Sequence, residues 1–136
     1  MSRATTHRAS EVQYDGSALW TFQAAATAAA ATQRFGYFVA PCDGTIVDAG
    51  YNIDTQATHA TNDLSLGTVA DIDSIFDEID ITSLATGFRS LMGATQGVGG
   101  LTVTKGEVYA WGWVGGDTTG HLTAYLVIEP RKSAVS

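Results

Sequence analysis

The residues of this 136-residue chain that could do chemistry are few and widely separated. Its three histidines, His7, His59 and His121, occur singly, whereas cupin or zincin metal sites need histidines at short, regular spacing. The one cysteine, Cys42, can form no disulfide within the chain and lies beside Asp43 in a predicted turn. Nucleophilic catalysis requires a hydroxyl or thiol next to a base, and no such motif is present. We therefore expect no catalytic residue, no bound metal and no cofactor.

The densest group of charges consists of five acidic residues, Asp71, Asp73, Asp77, Glu78 and Asp80. A calcium loop of the EF-hand type beginning at Asp71 needs an oxygen ligand at position 75 and a glycine at position 76. The chain has Ile75 and Phe76 there, which excludes this motif. An irregular calcium site remains open as an alternative to a solvated acidic face.

The apolar residues among these acids follow helical spacing. Ile72, Ile75, Phe76 and Ile79 occupy positions i, i+3, i+4 and i+7, which predicts a short amphipathic helix over about 71–79. Asp71 or Asp73 can cap the helix by accepting hydrogen bonds from its first amides. We expect this helix to close one end of a sheet sandwich.

Composition and charge exclude several classes of function. The chain has 14 acidic and 7 basic residues and a net charge of −7, so it repels the phosphate backbone that supplies most non-specific nucleic-acid affinity. No apolar run approaches the roughly 18 residues of a membrane span. We expect neither a nucleic acid nor a membrane as partner.

The remainder of the chain reads as short strands separated by glycine and threonine turns, which predicts an all-β domain, an antiparallel β-sandwich or jelly roll, over residues 18–130. An N-terminal arm (1–17) precedes it and a short tail (131–136) follows. The alanine-rich segment 23–32 has helical propensity, but it lacks large apolar residues, and we interpret it as strand and loop. Alternation places Phe35, Tyr37 and Val39 on one face of a strand. The last strand, 122–129, is apolar on both faces, which predicts that it is central or covered by a partner.

The aromatic residues are the most suggestive group: Trp20, Tyr109, Trp111 and Trp113. Aromatic stripes on strands usually belong to the core, but tryptophan and tyrosine also anchor subunit interfaces. A sugar-stacking surface is a further alternative. Gly112, between the two tryptophans, leaves the opposite face bare, so that a second backbone or subunit can approach closely there.

Three stretches carry a resemblance to a known group of proteins: 36–47, 101–110 and the strand 122–129. Over about residues 34–130 the chain resembles the small β-sandwich head decoration (cement) proteins of tailed bacteriophages. The resemblance implies a homotrimer on the outside of an icosahedral shell that bridges neighbouring copies of the major capsid protein. In that setting we expect the arm to order on the capsid or on an adjacent protomer, and Arg3 and Arg8 suit an acidic shell surface. The alternatives are a phage fibre tip or carbohydrate-binding sandwich and, less favoured, an enzyme on the same fold.

Overall fold

The computed structural model describes residues 19–29, 31–58, 61–94, 96–97, 99–115 and 119–131. Within these residues the chain forms nine β-strands: β1 (Trp20–Thr27), β2 (Gln33–Val39), β3 (Gly44–Thr55), β4 (Asn62–Thr68), β5 (Phe76–Asp80), β6 (Gly87–Ser90), β7 (Thr102–Val103), β8 (Val108–Gly115) and β9 (His121–Pro130). The same residues contain no helix, and hence none long and apolar enough to cross a membrane. The predicted arm and all of the predicted tail except Arg131 lie outside the described residues, as do His7 and His59.

The strands form two antiparallel sheets that pack face to face. Sheet A has the order β1-β9-β3-β6, with β7 also paired to β3, and sheet B has the order β2-β8-β4-β5. The pairs β1–β9, β2–β8, β3–β6 and β4–β5 are nested along the chain, as in one long hairpin rolled up into two sheets. This is the strand order of a jelly roll. The predicted fold class is therefore confirmed, and β9 is central, between β1 and β3.

The alanine-rich segment is a strand because its neighbour imposes that geometry. All eight residues of β1 pair with β9 in one uninterrupted register, from Trp20 opposite Ile128 to Thr27 opposite His121. Trp20 and Phe22 pack against the core between the sheets. Cross-strand pairing and burial thus outweigh the helical propensity of alanine, as tertiary contacts commonly do.

A bulge in β2 overturns the simple alternation predicted for that strand. The register with β8 shifts between Phe35 and Phe38, so both phenylalanines are buried while Tyr37 and Val39 are exposed. Gly36 adopts a φ of 66° at this bulge, in the left-handed region that favours glycine. The prediction that Phe35, Tyr37 and Val39 share a face was therefore wrong.

The prediction of a helix over 71–79 was also wrong. Residues 69–75 form a loop that folds back over sheet B, and β5 begins at Phe76. Ile75 donates its backbone N–H to the carbonyl of Leu66 at 2.9 Å, which continues the pairing of β4 with β5 instead of closing a helical turn. The helical spacing of Ile72, Ile75 and Phe76 arises because Ile72 packs on the outer face of sheet B, whereas the other two are buried.

Candidate interaction surfaces

His121 is the one histidine among the residues that the structure describes. It lies at the start of β9 in a polar cluster on the outer face of sheet A. Its Nδ1 is 2.6 Å from Oδ2 of Asp54, and the hydroxyl of Thr123 donates to the same oxygen at 2.8 Å. Asn52 donates to the other carboxylate oxygen at 2.6 Å. Burial acts to raise the pKa of Asp54, but the three hydrogen bonds from Asn52, Thr123 and His121 outweigh it and hold the pKa below its usual 3.8. Because Thr123 donates to Asp54 and not to His121, this arrangement is not a nucleophile–base pair.

Cys42 lies at the other end of the sandwich, in the turn before β3. Burial raises the pKa of its thiol, and the neighbouring charge of Asp43 adds to the effect, while Lys105 opposes it. The thiol form is therefore favoured, which is the opposite of what a catalytic thiolate needs. Asp43 is occupied in the turn itself, where its Oδ1 accepts the backbone N–H of Lys105 at 2.8 Å.

Three of the five clustered acids come close together. Asp73, Asp77 and Glu78 bring one carboxylate oxygen each to within 4.8 Å of one another, and all three side chains are at least partly exposed. A side-chain hydrogen bond between Asp71 and Asp73 raises the pKa of Asp71. Carboxylates gather in this way on many protein surfaces, and the cluster forms the solvated rim of the loop over sheet B.

The aromatic residues singled out in β8 point into the core. Tyr109, Trp111 and Trp113 are 4%, 1% and 3% exposed. The indole N–H of Trp113 donates to Oδ1 of Asn62 at 3.0 Å, so its one polar atom is satisfied inside the protein. No ring face of these three residues is available for sugar stacking or for a partner. Trp20 differs, because it lies half-buried on the edge strand β1.

The bare face opposite the tryptophans is covered by the chain's own loop. A Cβ at Gly112 would lie 2.4 Å from Cδ1 of Ile72 and 2.7 Å from Oγ of Ser65. The close contacts at Gly112 are made by side chains, whereas a backbone comes close at Gly67, where a Cβ would lie 2.0 Å from the carbonyl oxygen of Asp71. The close approach is therefore made by residues 69–75 of the same chain and not by another subunit.

The strands β1 and β2 lie next to each other as the edges of the two sheets, and we call the surface that they form the β1–β2 side. Phe22 of β1 stacks on Phe38 of β2, with ring centroids 4.4 Å apart and planes at 19°. A Cβ at Gly36 would lie 2.6 Å from Cβ of Ala24, so the bulge allows the two strands to approach closely. A crevice of about 70 Å³ opens here, and it is lined by Phe22, Gln23, Ala24, Gly36, Tyr37, Phe38 and Trp111.

A second aromatic surface lies on the outer face of sheet A, between Phe88 on the edge strand β6 and Tyr125 on β9. The near-parallel rings of Phe88 and Tyr125 have centroids 6.1 Å apart, and Tyr125 donates its hydroxyl to Oδ2 of Asp48 at 3.0 Å. Sequence patterning predicts a buried Phe88, but this ring is 58% exposed. Its position over Gly50 could not be read from local periodicity, because it depends on the pairing of β6 with β3.

Comparison with known proteins identifies a similar fold but no family. Neither a family model nor a curated protein sequence matches the chain. Among solved structures, the fold is similar to that of a chain in the capsid asymmetric unit of cyanophage Pam1. The TM-score is 0.52 at 11% sequence identity, and the match covers 83% of this chain and 85% of that chain. At this identity the likeness establishes a shared fold over nearly the whole of both chains.

Proposed function

We propose that this chain is a virion structural protein that decorates the outside of a phage capsid, binding as a trimer and bridging neighbouring capsid subunits. The observation that carries the proposal is the near-full-length match to a chain of a phage capsid asymmetric unit. Jelly rolls are also a recurrent architecture of viral capsid domains, although a fold alone does not establish a function.

The chemistry of the described residues supports a binding role without catalysis. The carboxylate of Asp54 is engaged by three hydrogen-bond donors, and the thiol of Cys42 has a raised pKa. The buried tryptophans belong to the core, which removes the main argument for a carbohydrate-binding module. What the fold offers to a partner is an exposed surface on a rigid scaffold.

Decoration by a small protein is physically effective when several weak contacts act together. Three linked copies convert modest individual contacts into strong avidity. A protein that binds only the assembled shell also stabilises it by mass action. In this proposal Arg3 and Arg8, which precede the described residues, contact an acidic shell surface.

The test is to add the purified chain to capsids that lack their outer proteins and to measure co-sedimentation and the temperature at which the shells release DNA. We expect saturable binding and a higher release temperature. A variant lacking residues 2–14, and the double variant Arg3→Glu with Arg8→Glu, should bind more weakly while unfolding at an unchanged temperature. Arg131→Glu is the matched control, since Arg131 is an exposed arginine within the described residues. Absence of binding to capsids by the intact chain would refute the proposal.

A further inference from the structure

We infer that the β1–β2 side is the surface through which copies of this chain associate. The inference extends the proposed function, because it names the contact that joins the copies. It rests on the proposed function for the number of copies, which is three. Four observations on the described residues carry it: edge geometry, apolar exposure, charge distribution and the aromatic crevice.

The edge of β1 has none of the features that prevent strand edges from associating. Its eight residues contain no charge and no proline, and its register with β9 is uninterrupted. Natural proteins usually protect such edges with charges, bulges or very short strands. A long, regular and uncharged edge is therefore the kind that a partner covers.

The opposite edges of the two sheets are protected. Strand β5 carries Asp77, Glu78 and Asp80 among its five residues, and Glu78 has a φ of 34° that makes the strand irregular. Strand β6 is only four residues long and includes Arg89. Because β2 itself carries Arg34 and the bulge at Gly36, β1 is the edge of the β1–β2 side that favours association.

Charge distribution selects a second copy as the occupant. Residues 19–42 contain a single charged residue, Arg34, whereas residues 35–88 contain nine acidic residues and no lysine or arginine. At physiological salt the repulsion between two copies of net charge −7 acts mainly within about 8 Å, so it opposes association chiefly when the two surfaces come close to contact. The copies approach at the lowest electrostatic cost through the neutral side, which keeps the acidic loops of both copies apart.

The same side offers apolar groups for a partner to bury. Tyr37 is 60% exposed and Val39 is 56% exposed, and Leu19, which immediately precedes β1, is exposed to a similar degree. Tyr37 also lines the crevice between the strands. A tyrosine at the mouth of an aromatic crevice is typical of the anchors that dominate interface energetics.

The experiment measures native mass by size-exclusion chromatography with light scattering over a micromolar concentration series. We expect the wild-type chain to form a trimer and Tyr37→Glu to raise the dissociation constant by roughly tenfold or more. Phe88→Glu is the matched control, since it replaces an equally exposed aromatic residue at the other edge, and it should leave the trimer intact. Val39→Glu provides a second test if Tyr37→Glu lowers the unfolding temperature.

A monomeric wild-type chain across the series would overturn the inference, as would a trimer that resists both Tyr37→Glu and Val39→Glu. Capsid co-sedimentation separates this inference from the proposed function. A Tyr37-dependent oligomer that binds no capsid retains the inference and refutes decoration. Capsid binding by a monomer refutes the inference and retains shell binding.

Discussion

Ile72 lies directly over Gly112, on the outer face of sheet B. The contact is close enough that a Cβ at Gly112 would come within 2.4 Å of the isoleucine Cδ1. A single apolar side chain thus ties the loop of residues 69–75 to the strand that carries the buried tryptophans. The loop is held at a second glycine by its own backbone, because a Cβ at Gly67 would lie 2.0 Å from the carbonyl oxygen of Asp71.

These two glycines should respond differently to substitution. We expect Gly112→Ala to destabilise the protein by about 1–3 kcal/mol through overpacking, and Ile72→Ala to recover part of that loss in the double variant. Gly67→Ala should cost more, and Ile72→Ala should not recover it, because the obstacle at Gly67 is backbone. Urea unfolding of the two double-mutant cycles, six proteins in all, checks the prediction. Equal recovery at both glycines would contradict the assignment.

Asp63 and Asp80 face each other directly across β4 and β5, and removing the charge of Asp63 should stabilise the protein. Burial raises the pKa of Asp63 and the charge of Asp80 adds to the effect, so ionisation of Asp63 opposes folding. We expect Asp63→Asn to add a few tenths of a kcal/mol to the free energy of unfolding at pH 7. The gain should appear as pH rises above 3.8 through the raised pKa and be absent below it.

Asp80→Asn is the matched variant for this pair. The backbone N–H of Thr82 donates to Asp80 at 2.9 Å and holds the pKa of Asp80 below its usual value. Its charge is therefore favoured by folding, and we expect no gain in stability from Asp80→Asn. A larger gain at position 80 than at position 63, measured by thermal unfolding at pH 7, would contradict this account.

The cluster around Asp54 predicts a specific loss of stability in acid. Hydrogen bonds from Asn52, Thr123 and His121 lower the pKa of Asp54 despite the opposing effect of burial. The stability that Asp54 contributes is therefore fully present above pH 3.8 and is lost as pH falls through the lowered pKa of the folded state. Asp54→Asn should flatten this limb of the pH–stability curve between about pH 4 and pH 2. If the free energy of unfolding of Asp54→Asn falls with decreasing pH as steeply as that of the wild type, other carboxylates cause the loss of stability in acid.

The hydrogen bond between Trp113 and Asn62 should contribute more to the free energy of unfolding than hydrogen bonds on the surface do. Both residues are buried, and the indole N–H and the amide oxygen are 3.0 Å apart. Asn62→Ala leaves the buried indole N–H without this acceptor and should destabilise the protein by about 1–3 kcal/mol. Trp113→Phe removes the donor, so the double variant should lose less than the sum of the single variants. Strict additivity in denaturant unfolding would argue against a coupled pair.

The sequence was most informative where burial follows strict alternation. Strand β9 alternates buried Leu122, Ala124 and Leu126 with more exposed neighbours, and its central position is one of the two alternatives that its apolar faces predicted. Prediction failed where a bulge changes the alternation, as at Gly36, and where isoleucines facing different layers mimic helical spacing, as at Ile72 and Ile75. Both failures have one cause, since the direction of a side chain there is set by a partner strand distant in sequence.

The candidate surfaces were less predictable than the fold for the same reason. Tyr37 and Phe88 became exposed through a bulge and through the pairing of a short edge strand, and neither event has a local signature. The burial of Trp111 and Trp113 was one of several alternatives that the sequence left open. It was decided by the packing of sheet A against the face of β8 that carries both indoles, while the loop at Ile72 covers the opposite face at Gly112.

The pairing of Trp20 with Ile128 has a mechanical consequence, because it puts Leu19 and Arg131 at the same end of neighbouring antiparallel strands. Tension applied between these two points pulls β1 away from β9 like a zipper, breaking hydrogen bonds in sequence and not together. Such a geometry yields at low force. In the proposed decorating role, load from a capsid should therefore enter this domain through its lateral surfaces and not through these two points.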